Sequence, residues 1–392
     1  MIHNHEVPSS ILGPATSPQR NAAIFFIDKH HIPMITDDIF LELNSLLVRF
    51  DQDQVFILTD TNAQQHCLPV LLDELRDMGE PFLSRLREHT CVLPAGEENK
   101  TLDSVCHIWD FLISHQATRQ ALLLNLGGGM ITDIGGFAAS CYKRGIPFVN
   151  IPTTLLAIVD AGEGGKTGFD YRGLKNEIGL FSNAYETIIY PRFLQSLPKE
   201  QFLSGFAEML KHALIASPLE WERILALDID QLYHRPNPTL QEEFAAVLER
   251  SLDIKRYFFE LDPEEQGMRK TLNFGHTIGH AIESRLIQRS EPQPHGYCVL
   301  WGMIAELYIS HIQAGFPSET ISRLVQVMKE YYGGVLFSCK DYDALIDLMH
   351  HDKKNLDATI NFTLLRNIGN PMINQTADDE TIREALDFLF SV

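Results

Sequence analysis

Cysteine is sparse and unordered in this 392-residue chain: Cys67, Cys91, Cys106, Cys141, Cys298 and Cys339 make no CxxC pair and follow no regular spacing. That excludes a disulfide framework and a cysteine-based zinc site, and leaves reduced thiols used mainly in packing. No run approaches the roughly 18 unbroken apolar residues of a membrane-spanning helix. The opening residues, Met1 to Val7, lack the basic region and apolar core of a secretion signal and the arginines of a transit peptide, which predicts a cytoplasmic protein. Positive charge is also short. Lysine and arginine total 32 against 52 aspartates and glutamates, a formal net charge of −20, and such a surface repels nucleic acid and anionic membrane. An anionic ligand must then be held where the few basic residues gather. Repeats and low-complexity segments are missing as well, and a composition 45% hydrophobic and 21% charged excludes a disordered chain.

What is there is enough chain for two cores. At this length a single hydrophobic core stops growing, so two domains with a cleft between them are expected. Residues 23–27, 55–59, 91–94, 121–126, 148–151 and 187–190 are short apolar runs separated by amphipathic stretches. They predict buried, mainly parallel strands with crossover helices, an α/β domain. From about Leu197 the period changes: 201–215, 240–259, 272–288, 295–314, 319–332 and 341–350 carry helical spacing, with few strand candidates. Leu197-Pro198 marks the boundary, because proline in a first helical turn opens a new element. The expected organisation is a partly ordered extension over 1–20, an α/β domain over 21–197 and a mainly α-helical domain over 198–392.

Several strand ends carry chemistry. Leu122-Leu123-Leu124-Asn125-Leu126 runs into Gly127-Gly128-Gly129 and a helix start containing Asp133. Glycines there let backbone amides approach a pyrophosphate at a helix N-terminus, although they also serve tight packing and this is not the GxGxxG fingerprint. Thr59-Asp60-Thr61-Asn62, Gly96-Glu97-Glu98-Asn99-Lys100 and Pro152-Thr153-Thr154 would converge on the same crevice, while each alone reads equally as a turn or helix cap. The Gly-rich stretch from Asp160 to Gly168, with Lys166, and the following Lys175-Asn176 could hold a phosphate or carboxylate; the plainer reading is a solvated loop.

The helical half offers metal-ligand types. His276 and His280 stand four apart and so share a helix face, His295 follows, and Glu208 supplies a carboxylate. Two imidazoles and a carboxylate with an open position make a catalytic zinc-type site. Spacing leaves open which two histidines would bind, and a lone histidine in an amphipathic helix is more often structural. His107, His115, His212 and His350 read as structural or exposed. Lys211, Lys255, Arg256, Arg269, Lys270 and Lys353-Lys354 surround this segment, each by itself a solvated charge, together a grip for an anion.

Taken in order, Gly127 to Asp133, Lys143 to Phe148, Ile151 to Leu156, Gly164 to Gly168, Lys175-Asn176, Gly205 to Lys211 and Leu272 to His280 resemble the 3-dehydroquinate synthases, over roughly Val55 to Gly369. The resemblance implies an N-terminal Rossmann-like domain that binds NAD, a mainly helical metal- and substrate-binding domain, a cleft between them and a homodimer. It implies Glu208, His276 and His295 as ligands of a divalent metal, zinc or cobalt, and His280 as a proton-transfer residue. NAD contacts fall on Asp60, Thr61, Asn62, Glu97, Lys100, Gly128, Gly129, Asp133, Thr153, Thr154 and Lys175. Contacts to a small phosphorylated sugar acid fall on Asp160, Lys166, Asn176, Lys211, Lys255, Arg269, Asn273 and one of the Lys353-Lys354 pair, with Arg144 reaching the phosphate of the partner's site. Glu265 takes an acid/base role, and Lys166, Lys211, Lys255, Arg269 and Asn273 count among the catalytic groups. The implied reaction oxidises a ring hydroxyl with NAD, expels phosphate, reduces with the same NADH, opens the ring and closes a carbocycle by an internal aldol step.

Three positions depart from the family pattern: Tyr297 stands for a glutamate, Glu163 for a small apolar residue, and Ser204 for an asparagine. A carboxylate at 163, beside a phosphate-binding lysine, would weaken anion binding, whereas Tyr297 would alter only the surroundings of a metal. Rival readings are another sugar phosphate cyclase, a metal- and NAD-dependent alcohol dehydrogenase, and a cyclase-like binding protein without turnover. Retention of Lys255, Arg269, Asn273 and His280 argues against the first, and the intact ligand and lysine positions argue against the last.

Overall fold

The computed structural model describes residues 34–161, 165–172, 174–234, 238–350 and 359–392. The expected extension over 1–20, the apolar run at 23–27, Glu163 and Lys353-Lys354 lie outside the described residues, as do the side chains of Lys175 and Asn176.

Among the described residues the α/β half holds β1 (Met34–Ile35), β2 (Val55–Asp60), β3 (Thr90–Leu93), β4 (Leu122–Gly127), β5 (Phe148–Pro152), β6 (Lys166–Tyr171), β7 (Leu174–Phe181) and β8 (Glu186–Ile189). Alternation explains the central strands. Val55 and Ile57 of β2 and Leu122, Leu124 and Leu126 of β4 enter one apolar cluster, while Phe56, Leu58 and Leu123 enter another. Successive side chains point to opposite faces, so both faces are buried, the condition under which a continuous apolar run becomes a parallel strand. The sheet is six-stranded and parallel throughout, in the order β1-β8-β5-β4-β2-β3. The chain leaves β2 toward β3 and leaves β4 toward β5, in opposite directions, which opens a crevice at their carboxyl ends.

The plainer reading of the Gly-rich stretch, a solvated loop, does not hold from Lys166 onward, where the chain forms an antiparallel ribbon of β6 with β7. Gly168 and Gly179 face each other, where an added Cβ would collide with the carbonyls of Ile178 and Thr167, so the strands close only because neither position has one. A second ribbon, β9 (Asn361–Asn367) with β10 (Asn370–Thr376), interrupts the helical half. The polar, half-exposed sequence of β10 carries no alternating signal that would announce it.

The expected helix over 272–288 is divided. Met268–Asn273 forms a 3-10 turn, and the α-helix begins at His276 because Gly275, at φ +79°, breaks the helical path. The main helices are Lys199–Ala216, Pro238–Leu261, His276–Gln288 and His295–Ala314, packed around Phe206, Trp221, Phe274 and Trp301. Their apolar cluster takes in Leu155, Ile158, Val159 and Ile189, so the two halves share a core at their junction. No helix among the described residues is long and apolar enough to cross a membrane.

The helices His276–Gln288 and His295–Ala314 meet backbone to backbone. A Cβ on Gly302 would collide with Gly275 O and stand 2.6 Å from Gly279 N, with no flexible side chain to give way. Gly302→Ala is therefore expected to destabilise the protein by roughly 1–3 kcal/mol, seen as a thermal midpoint several degrees lower. Gly334→Ala, with nothing within 4 Å of its Cβ, is the control and stays near wild type.

Candidate active site

Three histidines converge where these two helices begin. His276 is the first residue of its helix, His280 lies one turn on and His295 opens the next helix; one ring nitrogen from each lies within 4.8 Å of the others. Glu208, fully buried on Lys199–Ala216, faces two of them, with Oε1 3.5 Å from His276 Nε2 and 3.7 Å from His295 Nε2. The other ring nitrogens are held from behind: His276 Nδ1 is 3.1 Å from Phe274 O, and His295 Nδ1 is 3.2 Å from Glu283 Oε2. Such contacts fix the ring orientation and leave both Nε2 atoms directed toward Glu208.

The donor set suits a cation. Among the described residues neither Glu208 oxygen accepts a well-directed hydrogen bond; the groups facing them are the Lys211 ammonium and the two imidazoles. Burial alone would raise the Glu208 carboxyl, but Lys211, His276 and His295 hold it well below its ordinary value. Burial likewise opposes a charged His295, yet Glu283 and Glu208 push its pKa up to about 10. The acids thus demand positive charge between the rings. Imidazole nitrogens with one carboxylate are the ligands of zinc and its first-row neighbours, so these residues fit a divalent metal.

Around the histidines, lysines from one half meet acids from the other. Lys255, on Pro238–Leu261, reaches the turn after β5, with Nζ 2.9 Å from Asp160 Oδ1 and a further contact to the Asp160 carbonyl. Burial works against an ionised Asp160, and Lys255, aided by Lys211, overcomes it and holds the carboxyl below the usual carboxylate range. Lys166, at the start of β6, pairs with Glu265 Oε2, whose other oxygen accepts from Asn273 Nδ2 at 2.9 Å. Glu265 has φ +58°, a strained backbone for a residue with a Cβ, of the kind that persists where surroundings over-determine it. Arg269, buried, donates to Pro263 O at 2.6 Å and lies over the Phe259 ring.

The crevice at the strand ends is built from caps and glycines. Asp60 Oδ1 accepts from Asn62 N at 2.8 Å and Ala63 N at 3.0 Å, capping the helix Thr61–His66, and Thr61 Oγ1 accepts from Ala95 N at 3.2 Å. Lys100 is buried with Nζ 2.6 Å from Asp133 Oδ2 and 3.6 Å from Glu97 Oε1. Burial would discharge this ammonium, and the two acids more than reverse that. A Cβ on Gly128 would lie 3.1 Å from Thr154 Cγ2, and the helix Gly129–Cys141 starts without a side-chain cap. Thr153 N donates to Gly127 O at 2.9 Å, and Thr154 Oγ1 accepts from Ala157 N at 3.1 Å. The plainer reading, caps and turns, therefore accounts for Asp60 and Thr154 as structure, whatever they also bind.

Arg144 does not join these groups. It is exposed, beyond the far end of Gly129–Cys141 and so about 20 Å along that helix from the glycine turn. Tyr297 meets Tyr332 edge to face with ring centroids 4.8 Å apart. Ser204 Oγ accepts from Gly296 N at 3.0 Å, tying the helix of Glu208 to that of His295. Sequence reasoning passed over this tie, and over Glu283, although an acid one turn beyond His280 is the available signal. His212, read from the sequence as structural or exposed, is buried with Nδ1 2.8 Å from Ser251 Oγ and kept neutral, since burial and Lys211 push it down to about 3.

The family model described as 3-dehydroquinate synthase N-terminal matches residues 90–204, and the one described as 3-dehydroquinate synthase C-terminal matches 205–355. A 3-dehydroquinate synthase of Parabacteroides distasonis is 46% identical over 355 residues, 91% of this chain and 96% of that one. Another, of Ruminiclostridium cellulolyticum, is 33% identical over 88% of this chain and 93% of its own. A solved structure of 2-epi-5-epi-valiolone synthase from Streptomyces hygroscopicus with NAD+ and Zn2+ bound has a TM-score of 0.78 at 24% identity, covering 92% of this chain and 97% of that one. For 2-deoxy-scyllo-inosose synthase complexed with carbaglucose-6-phosphate, NAD+ and Co2+, the TM-score is 0.72 at 23% identity, over 90% and 95%. The likenesses give the fold, a Rossmann-like α/β part followed by a mainly helical part, and with both family models matched the chain belongs to the 3-dehydroquinate synthases.

Proposed function

We propose that this protein converts 3-deoxy-D-arabino-heptulosonate 7-phosphate to 3-dehydroquinate and phosphate, as a phosphate-eliminating carbon–oxygen lyase of the shikimate route to chorismate and the aromatic amino acids. It works as a cytoplasmic homodimer with NAD, on an α/β domain over 21–197, and a divalent metal, zinc or cobalt, on a helical domain over 198–392. The observation that carries the reading is the meeting of Glu208, His276, His280 and His295 with the Lys211, Lys255–Asp160 and Lys166–Glu265 pairs at the junction of the halves.

Glu208, His276 and His295 hold the metal, and Asp60, Thr61, Asn62, Glu97, Lys100, Gly128, Gly129, Asp133, Thr153, Thr154 and Lys175 hold NAD in the crevice between β2 and β4. When bound, the metal supplies Lewis acidity and NAD+ a hydride acceptor that is restored within the turnover. His280 moves a proton at the reacting hydroxyl, and Glu265, kept ionised chiefly by Lys166 against its burial, acts as a base. Lys166, Lys211, Lys255, Arg269, Asn273, Asn176, Asp160 and Lys353 orient the sugar acid, and Arg144 crosses to the partner's site to neutralise phosphate. The alternative is another sugar phosphate cyclase acting on a related heptulose phosphate.

Phosphate release from 3-deoxy-D-arabino-heptulosonate 7-phosphate, with NAD present, is expected to stop after chelation and return with zinc or cobalt, forming 3-dehydroquinate without accumulating NADH. No release from protein that binds NAD and metal would overturn the reading and favour the alternative. His276→Ala and Lys166→Ala are each expected to lower kcat/KM by about 100-fold or more with the circular-dichroism spectrum unchanged; near-normal turnover in either would remove that residue from the assignment.

A further inference from the structure

Glu306 has no part in the roles above. It lies fully buried on His295–Ala314 and is the single charged residue among positions 297–309, an otherwise mainly apolar stretch. Its Oε2 accepts from Gly275 N at 2.6 Å, and its Oε1 accepts from Thr277 N at 3.1 Å and Ile278 N at 3.2 Å. These are the opening amides of the helix that begins at His276, groups that no intrahelical carbonyl can satisfy.

An N-cap side chain would ordinarily take that place. Here the N-cap is Gly275, in left-handed backbone, and a Cβ on it would collide with Met303 Cγ and stand 3.0 Å from Val299 O. No capping residue fits, so the cap comes across the helix interface. A neutral acceptor would satisfy the amides. A carboxylate does more, because a helix N-terminus carries about half a positive charge, at the very end from which His276 and His280 present their rings. Beside a divalent cation that end is repulsive, and a buried negative charge behind it cancels the repulsion. Burying a carboxylate is costly unless it is compensated, so the apolar surroundings alone would favour an aliphatic residue at 306.

We propose that Glu306 is a positioning residue for the metal site: it fixes the backbone from Gly275 to Ile278, and with it the His276 ring, and its charge offsets the helix N-terminus that would oppose the cation. The inference rests on the metal reading given above.

The test uses the full-length protein stripped of metal, with Zn2+ affinity measured by competition against a chromophoric chelator, Co2+ absorption as a record of ligand geometry, and NAD affinity on the same samples. Glu306→Gln, which keeps the shape and removes the charge, is expected to bind Zn2+ about 10-fold more weakly, and Glu306→Ala about 100-fold, both with altered Co2+ spectra and unchanged NAD affinity. Glu306→Asp, which retains the charge, is expected to recover part of the loss. Wild-type Zn2+ affinity and Co2+ spectrum in Glu306→Gln would overturn the proposal, whatever the alanine variant does; should that variant fail to fold, the isosteric Gln variant decides. If the wild-type protein itself takes up neither ion, the metal reading fails and this role for Glu306 goes with it.

Discussion

The separation of the three histidine rings is set by how closely two helices approach. His276–Gln288 and His295–Ala314 touch through Gly275, Gly279 and Gly302, positions where a single Cβ would force the backbones apart. Because His276 and His295 are the first residues of these helices, any separation there moves the two rings themselves rather than some distant loop. The third element is brought in by the same device. Gly296 lies against the Ser204 backbone, and its amide donates to Ser204 Oγ one turn before Glu208. Side chains on rigid, closely docked helices hold a site more tightly than side chains on loops.

Close docking excludes water, and that makes every charge inside expensive unless answered. The answers are local. Glu208 faces Lys211 and the imidazoles, Glu283 backs His295, and Glu306 caps the amides at His276. Three buried carboxylates, Glu208, Glu283 and Glu306, thus stand close to the histidines, an arrangement that suits a cation. The same low dielectric that penalises an unmatched group strengthens a matched one.

How much of this was readable in advance follows from which physical signal each feature carries. Strands buried on both faces announce themselves as apolar runs, and β2, β4 and β5 lie where hydropathy puts them. The 3.6-residue period finds the long helices, and His276 and His280 share a face because spacing alone dictates it. Gly275 is different. Its left-handed φ ends one element and starts another inside what looks like a continuous helical pattern, and no periodicity reveals that. The β6–β7 ribbon is hidden for the opposite reason: Gly168 belongs to a stretch whose plainer reading is a loop, yet it and Gly179 are what lets two strands close. Glu283 and Glu306 are single acids within helices, and their roles depend on which ring or amide the neighbouring helix presents, a tertiary fact with no local trace.

The overall charge of −20 raises the question of how such a chain binds an anion at all. In the described site each lysine singled out is already paired: Lys100 with Asp133, Lys166 with Glu265, Lys211 with Glu208 and Lys255 with Asp160. Pairing orients the ammonium groups within the site. It also means that an incoming anion must compete with a carboxylate already in place. A singly charged ion such as chloride gains little from that exchange. A molecule carrying both a phosphate dianion and a carboxylate can engage several pairs together, and its charge-assisted hydrogen bonds then outweigh those it loosens. Selectivity for a ligand with two anionic groups would then depend on the acids that guard the lysines as much as on the lysines themselves.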